Sequence, residues 1–165
     1  MIRHLTSEDW PIWKAIRLEA LEKVPEAFGS SFEDEVLRSD ANWQDSLKNS
    51  DIFGVFQGDE LVGTAGIFYH QQTKLQHKAG LFAVYVKPRC RGLGLAGKLI
   101  AAIIEHAKTK ALQLYCAVVI GNVSALKLYQ HYGFVQIGVE PRALKVGEKF
   151  YDEILMVREL DDVAD

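Results

Sequence analysis

Val84-Tyr85-Val86-Lys87-Pro88-Arg89-Cys90-Arg91-Gly92-Leu93-Gly94-Leu95-Ala96-Gly97 is the stretch from which the fold of this 165-residue chain is read. It joins an apolar strand beginning at Leu81 to an amphipathic helix, in which Ala96, Leu99, Ile100, Ile103, Ile104 and Ala107 recur at helical spacing. A strand, a glycine-rich turn and a helix start make an anion site. Glycines let the backbone come close to a ligand, and the unpaired N–H groups of the first helical turn point at it. A pyrophosphate suits such a cradle. Lys87, Arg89, Arg91 and Lys98 add local positive charge.

Upstream of the turn, Ile2 to Leu5 reads as a short strand, and Thr6-Ser7-Glu8-Asp9 resembles a capping box opening a helix toward Pro25. Ala27 to Asn49 is expected to be irregular, with one or two short helices. Ile52 to Gln57 and Leu61 to His70 alternate as strands around a Gly58-Asp59 hairpin turn, and Gln71 to His77 is a polar loop. Downstream, Leu112 to Val119 is a buried strand and Asn122 to about Tyr132 a helix. Phe134 to Val139 and Lys149 to Arg158 are two strands joined around Val146-Gly147-Glu148. The expected fold class is α/β (α+β): one domain over 1–165, with a mixed, mostly antiparallel sheet of six to seven strands and helices on both faces.

Composition narrows the function classes. Apolar residues are 48% and charged residues 25%, as in ordinary globular domains, and the formal net charge of -3 gives no overall attraction to nucleic acid or anionic membrane. The longest apolar run, Leu114 to Ile120, falls far short of the roughly 20 residues of a membrane helix. Met1-Ile2-Arg3-His4-Leu5 does not open like a signal peptide, and Cys90 and Cys116 form neither metal-ligand spacing nor a disulfide framework, so a reduced, cytoplasmic setting without metal is expected.

The second motif is Asn122-Val123-Ser124-Ala125-Leu126-Lys127-Leu128-Tyr129, closing with Tyr132-Gly133-Phe134. Taken with the glycine turn, it resembles the acyl-CoA-binding core of the GNAT N-acetyltransferase superfamily. Phe150-Tyr151-Asp152-Glu153-Ile154-Leu155-Met156 resembles the last strand of that family. The resemblance implies an acetyl-CoA-dependent N-acetyltransferase acting on a primary amine, with acetyl-CoA as co-substrate. By it, backbone N–H groups of Arg91, Gly92, Leu93, Gly94, Leu95, Ala96 and Gly97 hold the pyrophosphate. Val84, Tyr85 and Val86 pair with the pantetheine arm, Asn122 supports that arm, and Tyr129 is the general acid for the departing thiolate. Asn122 and Tyr129 lie seven residues apart, nearly two helical turns, and so share a face.

Many relatives carry a glutamate on the central strand as base. Here Lys78-Ala79-Gly80-Leu81-Phe82 holds no carboxylate, which leaves Glu26, Glu33, Tyr69, His70 and Tyr85 as candidates. Pro25-Glu26-Ala27-Phe28-Gly29-Ser30-Ser31-Phe32-Glu33 resembles the wall of an acceptor site, where Phe28 and Phe32 line a pocket and Glu26, Glu33, Asp34 and Glu35 attract a cation. A small-molecule amine is the expected partner, with neither nucleic acid nor membrane, and with room for a homodimer. Protein N-termini or lysines, and a non-catalytic acyl-CoA-binding module, are the alternatives. Gly92, Gly94 and Gly97 also fit G-x-G-x-x-G, but five residues separate Val86 from Gly92, and the strand ending at Val119 closes without the acid a dinucleotide site requires.

Overall fold

In a computed structural model, which describes residues 1–161, the chain builds one seven-stranded sheet. Its strands are β1 Ile2–His4, β2 Asp51–Gln57, β3 Glu60–Tyr69, β4 Lys78–Val86, β5 Gln113–Val119, β6 Val135–Val146 and β7 Lys149–Glu159, and their order across the sheet is β1-β2-β3-β4-β5-β7-β6. Every pairing is antiparallel except that of β4 with β5. The fold class read from the sequence is the one observed. The last four residues of the expected domain lie outside the described ones.

The helices are α1 Trp10–Lys23, α2 Phe32–Glu35, α3 Asp40–Asn49, α4 Leu95–Ala107 and α5 Val123–His131. The chain enters α1 through the expected box, in which the Thr6 amide donates to the Asp9 carboxylate at 2.7 Å. Ser31 and Ser39 cap α2 and α3 with their hydroxyls, so the stretch after Ala27 carries the two short helices anticipated.

Two cores lie on opposite faces of the sheet. On one, Trp13, Ile16 and Ala20 of α1 and Trp43 and Leu47 of α3 cover Leu5, Ile52, Phe56, Leu61 and Tyr85. On the other, Leu99, Ile100, Ile103, Ile104 and Ala107 of α4 cover Ala65, Ile67, Ala79, Leu81 and Leu114, with Tyr129 and Phe134 closing one side. Each such aliphatic side chain taken from water contributes roughly 1.5–3 kcal/mol, which is why the helical periodicity after Gly94 reads so clearly.

At the first residue of β2, the Asp51 carboxylate gathers four donors from separate elements. They are Tyr69 Oη at 2.5 Å, Lys110 Nζ at 2.7 Å, His106 Nε2 at 2.9 Å and His4 Nε2 at 3.0 Å. Burial alone would push this carboxyl's pKa up, but the hydrogen bonds from Lys110, Tyr69, His106 and His4 outweigh it and hold it well below the usual carboxylate range.

Two departures from the sequence reading shape the site. β4 begins at Lys78 and pairs with β5 only at Lys78–Gln113, Ala79–Leu114 and Gly80–Tyr115. Beyond Gly80 the strands part. Opposite β3, Phe82 pairs with Gly66 and Tyr85 with Thr64, so Ala83 and Val84 stand against Ala65 alone, a bulge in which Ala83 takes a positive φ of 57°. The second departure is at the other edge, where β6 runs past Val139 to Val146. It absorbs Pro141 in an irregularity between Glu140 and Leu144, and the Arg142 amide donates to Asp152 at 2.8 Å. An edge strand tolerates proline because one side of its ladder is unused.

Candidate active site

The gap left where β4 and β5 part opens a cavity of about 1300 Å³. One end is the glycine turn. Gly92 and Gly94 have φ of +81° and +74°, and a Cβ on either would meet nothing within 4 Å, so the backbone there faces open space. Gly94 is the N-cap of α4 and no side chain among the described residues caps that end, which leaves the first amides of the helix available to an anion. Gly92, Gly94, Leu95, Ala96 and Gly97 all line the cavity. Gly97 has a second role: a Cβ there would sit 2.9 Å from the Tyr132 hydroxyl, so the glycine lets α4 approach the end of α5.

The other residues of this stretch divide. Arg91 lines the cavity, its Nε donates to the Val86 carbonyl at 3.1 Å, and its guanidinium stands over the Tyr85 ring. Arg89 and Lys87 turn away onto Glu60, at 2.5 and 3.0 Å. The Leu93 side chain is 56% exposed and lies outside the cavity lining.

Val84, Tyr85 and Val86 form the β4 wall, and Ala117 and Val119 the β5 wall. On α5, Asn122 is the cap its position suggests, its Oδ1 accepting from the Ala125 amide at 3.3 Å, and it lines the cavity as well. Tyr129 is only 7% exposed, between Cys116 and Phe134, and its hydroxyl takes no hydrogen bond from the described residues. Burial, reinforced by Cys116, pushes that phenol well above its ordinary pKa, so it stays protonated throughout the neutral range. Cys116 itself is pushed up to about 12 by burial.

The rest of the lining comes from α1, the Pro25–Ala27 turn with the residues after it, and the strands. Arg17, Glu26, Phe28 and Ser30 contribute from the first two, and Phe82, Tyr151 and Glu153 from β4 and β7. Of the carboxylates and rings weighed as bases, Glu26 and Tyr85 reach the cavity. Tyr85 is pushed up to about 12 by burial, with the Glu19 carboxylate adding to it. Tyr69 donates to Asp51 and His70 pairs with the Tyr115 hydroxyl at 2.8 Å, while Glu33, Asp34, Glu35 and Phe32 lie outside the lining.

Sequence reading missed Arg17, Tyr151 and Glu153. Glu153 pairs with Val119 on β5 and with Glu140 on β6, and shares strand parity with Tyr151. Burial, with Glu140 beside it, raises its pKa above the ordinary carboxylate value. Only the long-range register aims it at the cavity. Alternation along β7 was the single local signal, and it names a face without saying what covers that face.

A family model described as acetyltransferase (GNAT) family matches residues 7–134. A mycothiol acetyltransferase from Brachybacterium faecium is 28% identical over 146 residues, 86% of this chain and 43% of that protein. A spermine/spermidine N(1)-acetyltransferase from Bacillus subtilis is 31% identical over 87 residues, 49% of this chain and 57% of that protein. The chain thus spans about half the length of these curated relatives. A GNAT-family acetyltransferase structure from Streptococcus pneumoniae superposes with a TM-score of 0.86 at 25% identity, covering 98% of this chain and 99% of that one.

Proposed function

The chain belongs to the GNAT acetyltransferase family, and on that premise we propose that it moves an acetyl group from acetyl-CoA to a primary amine by direct attack in a ternary complex. The observation that carries the reading is the parting of β4 and β5 beside an uncapped helix start, with Tyr129 buried in the gap.

Acetyl-CoA fits the chain's own residues. The open backbone at Gly92 and Gly94 and the first amides of α4 receive the pyrophosphate. On the side facing β5, where pairing ends at Gly80, the β4 stretch from Val84 to Val86 offers backbone groups to the pantetheine arm, as an added strand would use them. An amide at the Ala83–Val84 bulge donates to the thioester oxygen as charge develops there, a donor of a kind worth about 3 kcal/mol to a transition state.

The amine nitrogen, neutral at the moment of attack, forms the new C–N bond at the thioester carbonyl, and the C–S bond breaks. Tyr129 gives its proton to the leaving thiolate, and the nitrogen loses one proton to a carboxylate. Glu153 suits that task, because its raised pKa brings it nearer the working pH as a base. The relatives named for mycothiol and for spermine and spermidine support a small-molecule acceptor. The free thiols of Cys90 and Cys116 support a reducing, cytoplasmic setting.

Acetyl-CoA is expected to raise the melting temperature and NAD to leave it unchanged, with free thiol released only when a primary amine is added. Stabilisation by NAD and not by acetyl-CoA would overturn the reading.

A further inference from the structure

The cavity holds a charge that acetyl transfer does not use. Arg17, on the inner face of α1, is 6% exposed, and its Nη1 is buried without a hydrogen-bond partner among the described residues. A guanidinium N–H left unpaired away from water is costly, and native proteins rarely keep one without a reason. The guanidinium stands over the Phe28 ring at 5.1 Å, and both residues line the cavity. Burial lowers the pKa of Arg17; Glu35 partly offsets this, but its carboxylate is bonded by Arg38 at 2.8 Å.

Position within the cavity decides what this cation serves. Phe28 follows the Pro25–Ala27 turn, which packs against β5 and β6, the strands that flank Glu153 of β7, and Glu26 and Glu153 both line the cavity. The glycine turn, where phosphate charge would be neutralised, lies instead between β4 and the start of α4. Arg17 therefore belongs with the acceptor side. A planar guanidinium with an unused N–H suits a carboxylate better than any neutral group.

Building on the acetyl-transfer reading, we propose that Arg17 recognises a carboxylate on the acceptor, so that the substrate class is an amine that also carries a carboxyl group, an α-amino acid in its simplest form. The amino end, having given up its extra proton to solvent to become the neutral nucleophile, then lies toward Glu153 and Glu26, and the carboxylate toward Arg17. Phe28, Phe82 and Tyr151 offer apolar surface to a side chain. The bond changes are unaltered: nitrogen takes the acetyl group, sulfur leaves with the Tyr129 proton, and the carboxylate takes no covalent part.

The test measures kcat/KM by thiol release for L-phenylalanine, L-methionine and L-tyrosine against phenethylamine, 3-(methylthio)propylamine and tyramine, which lack only the carboxylate. The intact protein is expected to prefer at least one carboxylate-bearing partner by about 100-fold, since a buried polar group left unpaired penalises the analogue that cannot meet it. In Arg17→Gln that preference is expected to fall to within a few-fold, through loss of kcat/KM for the amino acid, with acetyl-CoA affinity retained. Should Arg17→Gln fail to fold, the preference of the unsubstituted protein decides alone.

Equal or better use of the decarboxylated amines overturns the inference. So does acetyl-CoA binding without turnover of any of the three amino acids. Weakened acetyl-CoA binding in Arg17→Gln with acceptor preference unchanged would assign the guanidinium to the acyl carrier, and also overturns it. If the unsubstituted protein binds no acetyl-CoA, the acetyl-transfer reading itself fails, a result distinct from each of the others.

Discussion

The Phe68 ring fills the place where Gly80 would carry a side chain: a Cβ there would come within 2.0 Å of it. Gly80 is also the last β4 residue paired with β5. Phe68 meets Phe82 and Tyr115 edge-on at 5.6 and 5.7 Å, so one ring braces both strands at the point where they part. Gly80→Ala must displace that ring. The expected cost is about 1–3 kcal/mol, as for other overpacked sites, read as a lower melting temperature. An unchanged melting temperature would mean that the ring swings aside freely and does not brace the fork.

Gly94→Glu separates binding from folding. A Cβ there meets nothing within 4 Å among the described residues, so the penalty to the fold is the strain of a positive φ, about 1–2 kcal/mol. The same side chain projects bulk and negative charge at the start of α4. Acetyl-CoA binding, measured by calorimetry, is expected to be abolished while the circular dichroism spectrum is retained. Retained affinity would remove the glycine turn from the phosphate site.

Two proton-carrying groups predict an asymmetric pH profile. Tyr129 is held protonated by burial, so it imposes no alkaline limb in the neutral range. Glu153 accepts a proton only when ionised, and its pKa is raised by burial and by Glu140, so kcat is expected to fall on acidification before an ordinary carboxylate would titrate. Glu153→Gln is expected to lower kcat by about 100-fold near neutrality and to remove that acid limb. Tyr129→Phe is expected to lower kcat by a similar factor, of order 100-fold, with acetyl-CoA affinity within about twofold. An unaltered acid limb in Glu153→Gln would assign the base elsewhere.

Asp51 carries a prediction for stability. Its folded-state pKa lies below the unfolded value of about 3.9, so folding favours the ionised form. That contribution is fully present above the unfolded pKa and is lost as pH falls from there through the lowered folded value. Asp51→Asn leaves Lys110, Tyr69 and two histidines without their anion, and is expected to cost about 2–4 kcal/mol at pH 7. Urea unfolding should show this deficit shrinking as pH is lowered below about 4. A deficit that does not change with pH would mean that Asp51 is not the group titrating.

The strand, glycine turn and helix from Leu81 to Ala107 were legible because each obeys a local rule: apolar alternation, glycine where φ is positive, and a 3.6-residue stripe. The same holds for the Asn122 cap and for the helix face it shares with Tyr129, while their place in the site was read from the family resemblance. What escaped depends on partners distant in sequence. The bulge at Ala83 puts an ordinary alanine at positive φ, and nothing in its neighbours announces it. Arg17 sits on a helix stripe that a pattern of apolar positions passes over, and only the packing of Phe28 reveals that it is inside. Glu153 is aimed by its register with Val119, 34 positions away in sequence. The strand read from sequence as ending at Val139 runs on through Pro141, which the structure places at an irregularity on an edge, where its missing N–H costs the ladder nothing.

The short ladder between β4 and β5 has a mechanical meaning. Three residue pairs join them directly, Lys78–Gln113 to Gly80–Tyr115, in a sheet whose other strands pair along most of their length. That ladder is the seam along which the molecule would tear under load. A ligand lying in the fork touches both banks of the seam and acts as a rivet. Stretched from its two ends, the chain should therefore yield first between these strands, and at higher force when acetyl-CoA is bound.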